Sequence, residues 1–159
     1  MPPQFIVNLD DIDLGRVETD REGIRAVLPQ RFEFEQLHGI VRFDRAGQFA
    51  VAYRDIGAEE WWVRGHVPGR PLFPGVLMVE AAAQLCSFYY QKAMEGMESR
   101  FIGFGGIDAV KFRGTVVPGD RLILLAREIE MKSRRATFQT QGVVKDRLVY
   151  EGIIIGMPV

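Results

Sequence analysis

A chain of 159 residues has the length of one domain with its own core and leaves little room for a second. Its 47% hydrophobic and 26% charged residues are the balance of an ordinary globular protein, and a formal charge of -1 speaks against a nucleic-acid binder. The single cysteine, Cys86, permits neither an internal disulfide nor a cysteine-built metal site, and favours a reducing compartment.

The opening stretch MPPQFIVNLDDIDLG has neither the basic nor the apolar region of a secretory leader. No run of about 18 apolar residues is long enough to span a bilayer, so the cytoplasm is the expected location. Residues 1–18 carry Asp10, Asp11, Asp13 and Glu18 with little periodicity and read as an arm outside the core, within a single domain spanning 1–159. Thr19 and Glu22 have the spacing of a capping box, which predicts a short helix through Ile24 to Leu28, stopped by Pro29. Segments 37–44 and 48–55 have strand composition and are separated by Arg45-Ala-Gly-Gln48, which predicts a hairpin. Trp61-Trp62-Val63 is apolar and fits core or a subunit interface.

From Val76 to about Met94 the chain is long enough for a helix whose first turns are nearly free of polar side chains, the mark of burial on most sides. Four further segments, 107–117, 121–131, 135–144 and 148–156, are rich in β-branched and apolar residues. Turn residues separate them, which predicts a four-stranded antiparallel meander. The expected class is α+β, one apolar helix covering the dry face of an antiparallel sheet.

Two residues stand out between these elements, in GHVPGRPLFPGVLMVEAAAQL over 65–85. His66 opens a loop stiffened by Pro68, Pro71 and Pro74 and loosened by Gly65, Gly69 and Gly75. Pro74 suits the first helical position, which would put the N–H groups of Gly75 and Val76 in the first turn, where partial negative charge is attracted. Glu80, Gln84 and Ser87 fall on one helix face at i, i+4 and i+7. A carboxyl among apolar neighbours takes partners or holds its proton, which suits a general acid, and an imidazole suits a general base. The residue types alone leave this open. A loop histidine is more often a structural hydrogen-bonder, and a lone glutamate on an apolar helix more often a partnered charge. Cys86 reads as core packing and His38 as structural.

The whole stretch is more specific than its members. It resembles the signature H-F-P-x-x-P-x-x-P-G-V-L-x-x-E-A-x-A-Q of the 3-hydroxyacyl-acyl-carrier-protein dehydratases. Glu60-Trp-Trp-Val-Arg-Gly65 is similar to the family's aromatic segment before the histidine. Gly106-Ile-Asp-Ala-Val-Lys-Phe-Arg113 and Val117-Pro-Gly-Asp120 are similar to two downstream elements, and Leu28-Pro-Gln-Arg-Phe32 to an N-terminal one. The resemblance covers roughly residues 24–156.

It implies a hotdog fold: a long central helix wrapped by a curved antiparallel sheet. It implies homodimers, or hexamers of three dimers, with His66 of one subunit facing Glu80 of the other. The implied reaction eliminates water from a 3-hydroxyacyl thioester to give the trans-2-enoyl thioester. His66 takes the C2 proton, Glu80 protonates the departing hydroxyl, and the Gly75 N–H binds the thioester carbonyl. No cofactor or metal is implied; the substrate rides on the phosphopantetheine of acyl carrier protein. Val67, Phe73 and Gln84 are then expected along the substrate tunnel. Arg70, Lys111, Arg113 and the Lys132–Arg135 turn are candidate contacts to the acidic carrier.

The sequence departs from the family pattern at Val67, Gln30, Glu33 and Glu35, and in Phe101–Gly106, which lacks a tyrosine often found there. Two other functions of the same fold compete: an acyl-thioesterase, in which a helix carboxylate activates water without this histidine, and a non-catalytic acyl-binding subunit.

Overall fold

A computed structural model describes residues 4–97 and 101–159. After a one-turn 3-10 helix at Leu9–Asp11 come α1 (Arg21–Val27), a 3-10 turn at Phe32–Phe34, β1 (Gly39–Asp44) and β2 (Phe49–Asp55). The long helix α2 (Gly75–Ala93) follows, then β3 (Ile102–Phe112), β4 (Arg121–Lys132), β5 (Arg135–Val144) and β6 (Arg147–Pro158). The strands form one antiparallel sheet in the order β1-β2-β4-β5-β6-β3. This is the expected hotdog arrangement.

The expected meander holds for β4–β5–β6 only. β3 starts at Ile102 rather than near 107, and it pairs with β6 at the far edge instead of with β4. Glycines disguised its first half as a loop. One of them, Gly105, answers to its neighbour on β6: a Cβ there would lie 2.6 Å from the Met157 side chain. The segment after β3 crosses back to β4 and is pinned on the way. Phe73 N–H donates to the Val116 carbonyl at 2.8 Å, and Gly119 N–H to that of Ile56 at 2.8 Å.

Both short-range helix signals are displaced by one residue. Asp20, not Thr19, caps α1, its carboxylate accepting the Gly23 N–H at 2.9 Å, while Thr19 bridges to Ile40 on β1. Asp20 already has extended backbone and the shorter acidic side chain, which makes it as good a cap as threonine. Pro74 is the N-cap of α2 with extended ψ of 130°, and its carbonyl accepts from Leu77 and Met78, so Gly75 is the first helical residue.

α2 packs against the sheet with Met78, Ala81, Ala82, Leu85, Phe88 and Tyr89 all at 2% exposure or less. Each large apolar side chain so buried contributes about 1.5–3 kcal/mol. The other sheet face is not left to solvent. Val41, Val51, Ile123, Leu125 and Val143 form a second cluster there, covered by Phe5, Ile6, Val7 and Leu9 of the arm. Val7 is fully buried, which corrects the view of residues 1–18 as lying outside the core. The arm is tied down by Ile6 N–H donating to Gln141 Oε1 at 2.8 Å and by Arg127 donating to the Ile6 carbonyl at 2.7 Å.

Candidate active site

The loop that carries His66 is built by its own backbone. Val67 and Arg70 exchange N–H···O=C bonds around Pro68-Gly69, with Gly69 at φ +77°. Proline followed by a glycine at positive φ is the composition of a type II turn. The His66–Val67 peptide is cis. His66 N–H donates to the Trp62 carbonyl at 2.8 Å, and Leu72 N–H donates to the His66 carbonyl at 2.8 Å. Trp62 in turn is buried edge-on against Phe73, at 5.4 Å between ring centres.

The ring of His66 lies 2.8 Å through Nδ1 from the Leu72 carbonyl. A carbonyl can only accept, so Nδ1 carries the hydrogen and Nε2 is left uncommitted. The residue itself is exposed. The loop therefore holds the ring by one nitrogen and leaves the other for chemistry.

Glu80 has the opposite setting. It sits on α2, half-buried, and burial pushes its carboxyl above the usual range, opposed by a hydrogen bond from Gln84. Gln84 is 3% exposed and its amide is fully used. Oε1 accepts the Gln36 N–H at 3.0 Å, and Nε2 donates to the Phe34 carbonyl at 2.7 Å and to Glu80 Oε1 at 2.8 Å. The network assigns the amide orientation and occupies one carboxyl oxygen, leaving Glu80 Oε2 for proton exchange.

Glu80 and Gln84 line a small cleft between α2, β3, β5 and β6. Its wall along the helix is Glu80, Ala83, Gln84 and Ser87, one face at helical spacing, and its floor includes Cys86, Phe138 and Ile154. Cys86 is buried, and burial pushes its thiol well above the ordinary range, as expected for packing. Two departures from the family pattern, Gln30 and the Phe101–Gly106 segment through Ile102 and Phe104, also line the cleft. Ile154 and Ile155 of β6 complete it and carry no site signal in the sequence.

The remaining expected site residues separate. Gly75 opens α2, where the first-turn N–H groups have no intrahelical acceptor. A Cβ there would stand 3.0 Å from the Phe112 ring, so glycine is what lets that ring close over the helix start. Val67 is 45% exposed on the loop. Phe73 is 3% exposed, packed between Trp62 and the Arg54 guanidinium, and does not line the Glu80 cleft. Arg70 and Lys111 are exposed, and so is Arg113, which pairs with Glu151 at 2.8 Å. His66 is not among the residues lining the Glu80 cleft, so the fold of one chain does not bring the two into one cavity.

One departure, Glu35, and the second histidine, His38, have structural explanations. Glu35, charged where the family is apolar, accepts from Arg25 Nε at 2.6 Å and from Arg21 at 3.0 Å, and these partners hold its carboxyl at about 2. His38 is structural: Nδ1 accepts the Asp55 N–H at 3.0 Å, and burial pushes its pKa down to about 4. Among the described residues no group of three or more His, Cys, Asp or Glu is placed to hold a metal ion. No helix of the described residues is long and apolar enough to cross a membrane.

The FabA-like domain family model matches residues 28–153. The 3-hydroxyacyl-acyl-carrier-protein dehydratase FabZ of Moorella thermoacetica is 35% identical over 136 residues, 86% of this chain and 94% of that one. FabZ of Lawsonia intracellularis is 35% identical over 133 residues, 82% of this chain and 86% of that one. Among solved structures, the dehydratase heterocomplex ApeI:P from Xenorhabdus doucetiae superposes with a TM-score of 0.73 at 11% identity, covering 86% of this chain and 90% of that one. Cj0977, a sigma28-regulated virulence protein of Campylobacter jejuni, does so with a TM-score of 0.65 at 18% identity, over 99% and 96% of the two chains. At those identities the structures speak for the fold alone, and the sequence matches speak for the family: this chain belongs to the FabA-like domain family, with FabZ-type dehydratases among its relatives.

Proposed function

We propose that the chain dehydrates 3-hydroxyacyl thioesters carried on acyl carrier protein to trans-2-enoyl thioesters. The observation that carries this reading is the pairing of unlike settings. His66 is exposed with Nδ1 committed to the Leu72 carbonyl and Nε2 uncommitted, and Glu80 is a desolvated carboxyl with one oxygen uncommitted. A base and an acid are what 1,2-elimination of water needs.

His66 Nε2 removes the C2 proton. The electron pair forms the C2–C3 double bond, the C3–O bond breaks, and Glu80 Oε2 delivers its proton to the leaving oxygen. The first-turn N–H of Gly75 receives the thioester carbonyl as negative charge builds on it. Val67 and Gln84 are the wall residues we assign to the tunnel; Phe73 supports the loop from behind.

The two groups meet across a homodimer in this reading. Among the described residues β3 pairs only with β6, which leaves its outer edge free, and Phe104, Ile107 and Phe112 on it are about half exposed. A second copy pairing there covers the edge and brings its own loop towards the cleft. Arg70, Lys111 and Arg113 are the exposed basic side chains we assign to contact with an acidic carrier, Lys111 and Arg113 standing beside Glu151 at the end of the strand that carries Phe112.

The test is hydration of an enoyl thioester, followed by loss of the conjugated absorbance. Wild type turns over; His66→Ala and Glu80→Gln, at unchanged oligomer size, fall by about 10²-fold or more. Release of free thiol that survives His66→Ala identifies a thioesterase instead. Binding of carrier and coenzyme A thioesters without turnover identifies a binding subunit.

A further inference from the structure

The Glu80 cleft has a direction. β3 runs alongside α2 in the opposite sense, and one contact near each end shows it. At one end the Phe112 ring packs on Gly75, the first helical residue, where a Cβ would stand 3.0 Å from it. At the other the Ser87 hydroxyl donates to the Ile102 carbonyl at 3.3 Å. With the thioester carbonyl at Gly75 and C3 at Glu80, the rest of the acyl chain lies along the helix face towards Ser87. The surfaces there suit hydrocarbon: Ala83 on the wall, with Cys86, Phe138 and Ile154 beneath it.

The cleft closes where α2, β3 and β6 meet at Ile102. This residue is 5% exposed, and its carbonyl is tied to α2 through Ser87. Its side chain lies over β6 at Gly156, where any Cβ would collide with it. One turn beyond Ser87 on the helix, Tyr90 is buried, and among the described residues no position of α2 past Ser87 lines the cleft. Glu80 and Ser87 are seven positions apart, which is about 10 Å along the helix axis. An extended chain advances about 1.2 Å per bond, so this distance takes about eight carbons beyond C3.

We infer that Ile102 is the end wall of the acyl site and limits the substrate to acyl groups of about twelve carbons or fewer; the inference rests on the dehydratase reading above. Each methylene laid on the apolar wall adds to binding until the chain reaches the Ser87–Ile102 contact. A longer chain has to fold back on itself or force α2 away from β3, and a close-packed interior resists that.

The test measures kcat/KM in the hydration assay for butenoyl, octenoyl, dodecenoyl and hexadecenoyl thioesters. In the wild type it rises about tenfold or more from butenoyl to octenoyl and falls about tenfold or more from dodecenoyl to hexadecenoyl. Ile102→Ala removes the wall and raises the hexadecenoyl-to-octenoyl ratio about tenfold. Ile102→Val, the milder change should the Ala variant not fold, moves the ratio the same way by a smaller factor. Ala83→Leu fills the middle of the wall and lowers the octenoyl-to-butenoyl ratio about tenfold. Ratios within one protein are independent of its folded fraction. A wild type that handles hexadecenoyl as well as dodecenoyl overturns the limit. A limit that neither Ile102 variant moves overturns the assignment of the wall, and an Ala83→Leu protein with the wild-type ratio overturns the path along the helix. Wild type without turnover at any length overturns the dehydratase reading itself, and the limit with it.

Discussion

His66 and Glu80 lie 14 positions apart in the sequence and are held by unrelated means. The His66 loop is fixed by main-chain bonds: a Pro-Gly turn, the reciprocal contacts with Leu72, and one bond to Trp62. Its imidazole is exposed. Glu80 is fixed by a side chain, Gln84, which reaches across to the Phe34–Gln36 strap and is itself buried. The difference follows from the chemistry proposed for each. A base that must lose its proton between turnovers works where water reaches it. An acid that must keep its proton near neutrality works where water does not. The loop therefore tolerates side-chain changes around His66 so long as the turn survives, whereas the Glu80 face is sensitive to any change in its amide network.

The largest effect outside the acid–base pair is expected at the support of the loop. Arg54 is 4% exposed; burial lowers its pKa to about 10, and it pairs with Glu60, next to the tryptophans that carry the loop. Glu60→Ala leaves a buried cation unpaired and lowers stability by about 3 kcal/mol in denaturant unfolding, with kcat falling alongside. Gln84→Leu comes next. It frees Glu80 and strands the Gln36 N–H and the Phe34 carbonyl, so kcat falls about tenfold and stability by about 2 kcal/mol. A Gln84→Leu protein with wild-type kcat would erase the contrast between the two halves.

The smallest effect is on pH dependence away from the site. His38 folds with its pKa lowered to about 4, below the unfolded value near 6.5. The folded state resists the proton, so stability is full above about 6.5 and declines as pH falls towards 4. Glu35 folds with its pKa lowered to about 2 by Arg25. Its contribution is present above about 4.5 and is lost as pH falls towards 2. Melting temperature against pH should decline in two stages. His38→Asn removes the upper one and Glu35→Gln the lower.

Much of this was readable in the residues because it is local. The buried helix follows from a nearly unbroken apolar run, the β4–β5–β6 strands from their turns, and the proposed acid and base from the dehydratase signature. What was not readable depends on distant partners. Gln84 finds Gln36 and Phe34 about fifty positions earlier, and nothing in an amide's neighbours in sequence announces that. The start of β3 is hidden by glycines, of which Gly105 answers to Met157 on β6, and the burial of Val7 depends on a sheet face assembled from four strands.

The central claim is that the base and the acid of each site come from different chains. Subunit complementation tests it directly. His66→Ala and Glu80→Gln proteins are each inactive; mixed in equal amounts and allowed to exchange subunits, they form hybrids with one intact site. Turnover returning to about a quarter of wild type is the predicted result. Hybrids that form, verified by mass, and remain as inactive as their parents would contradict it.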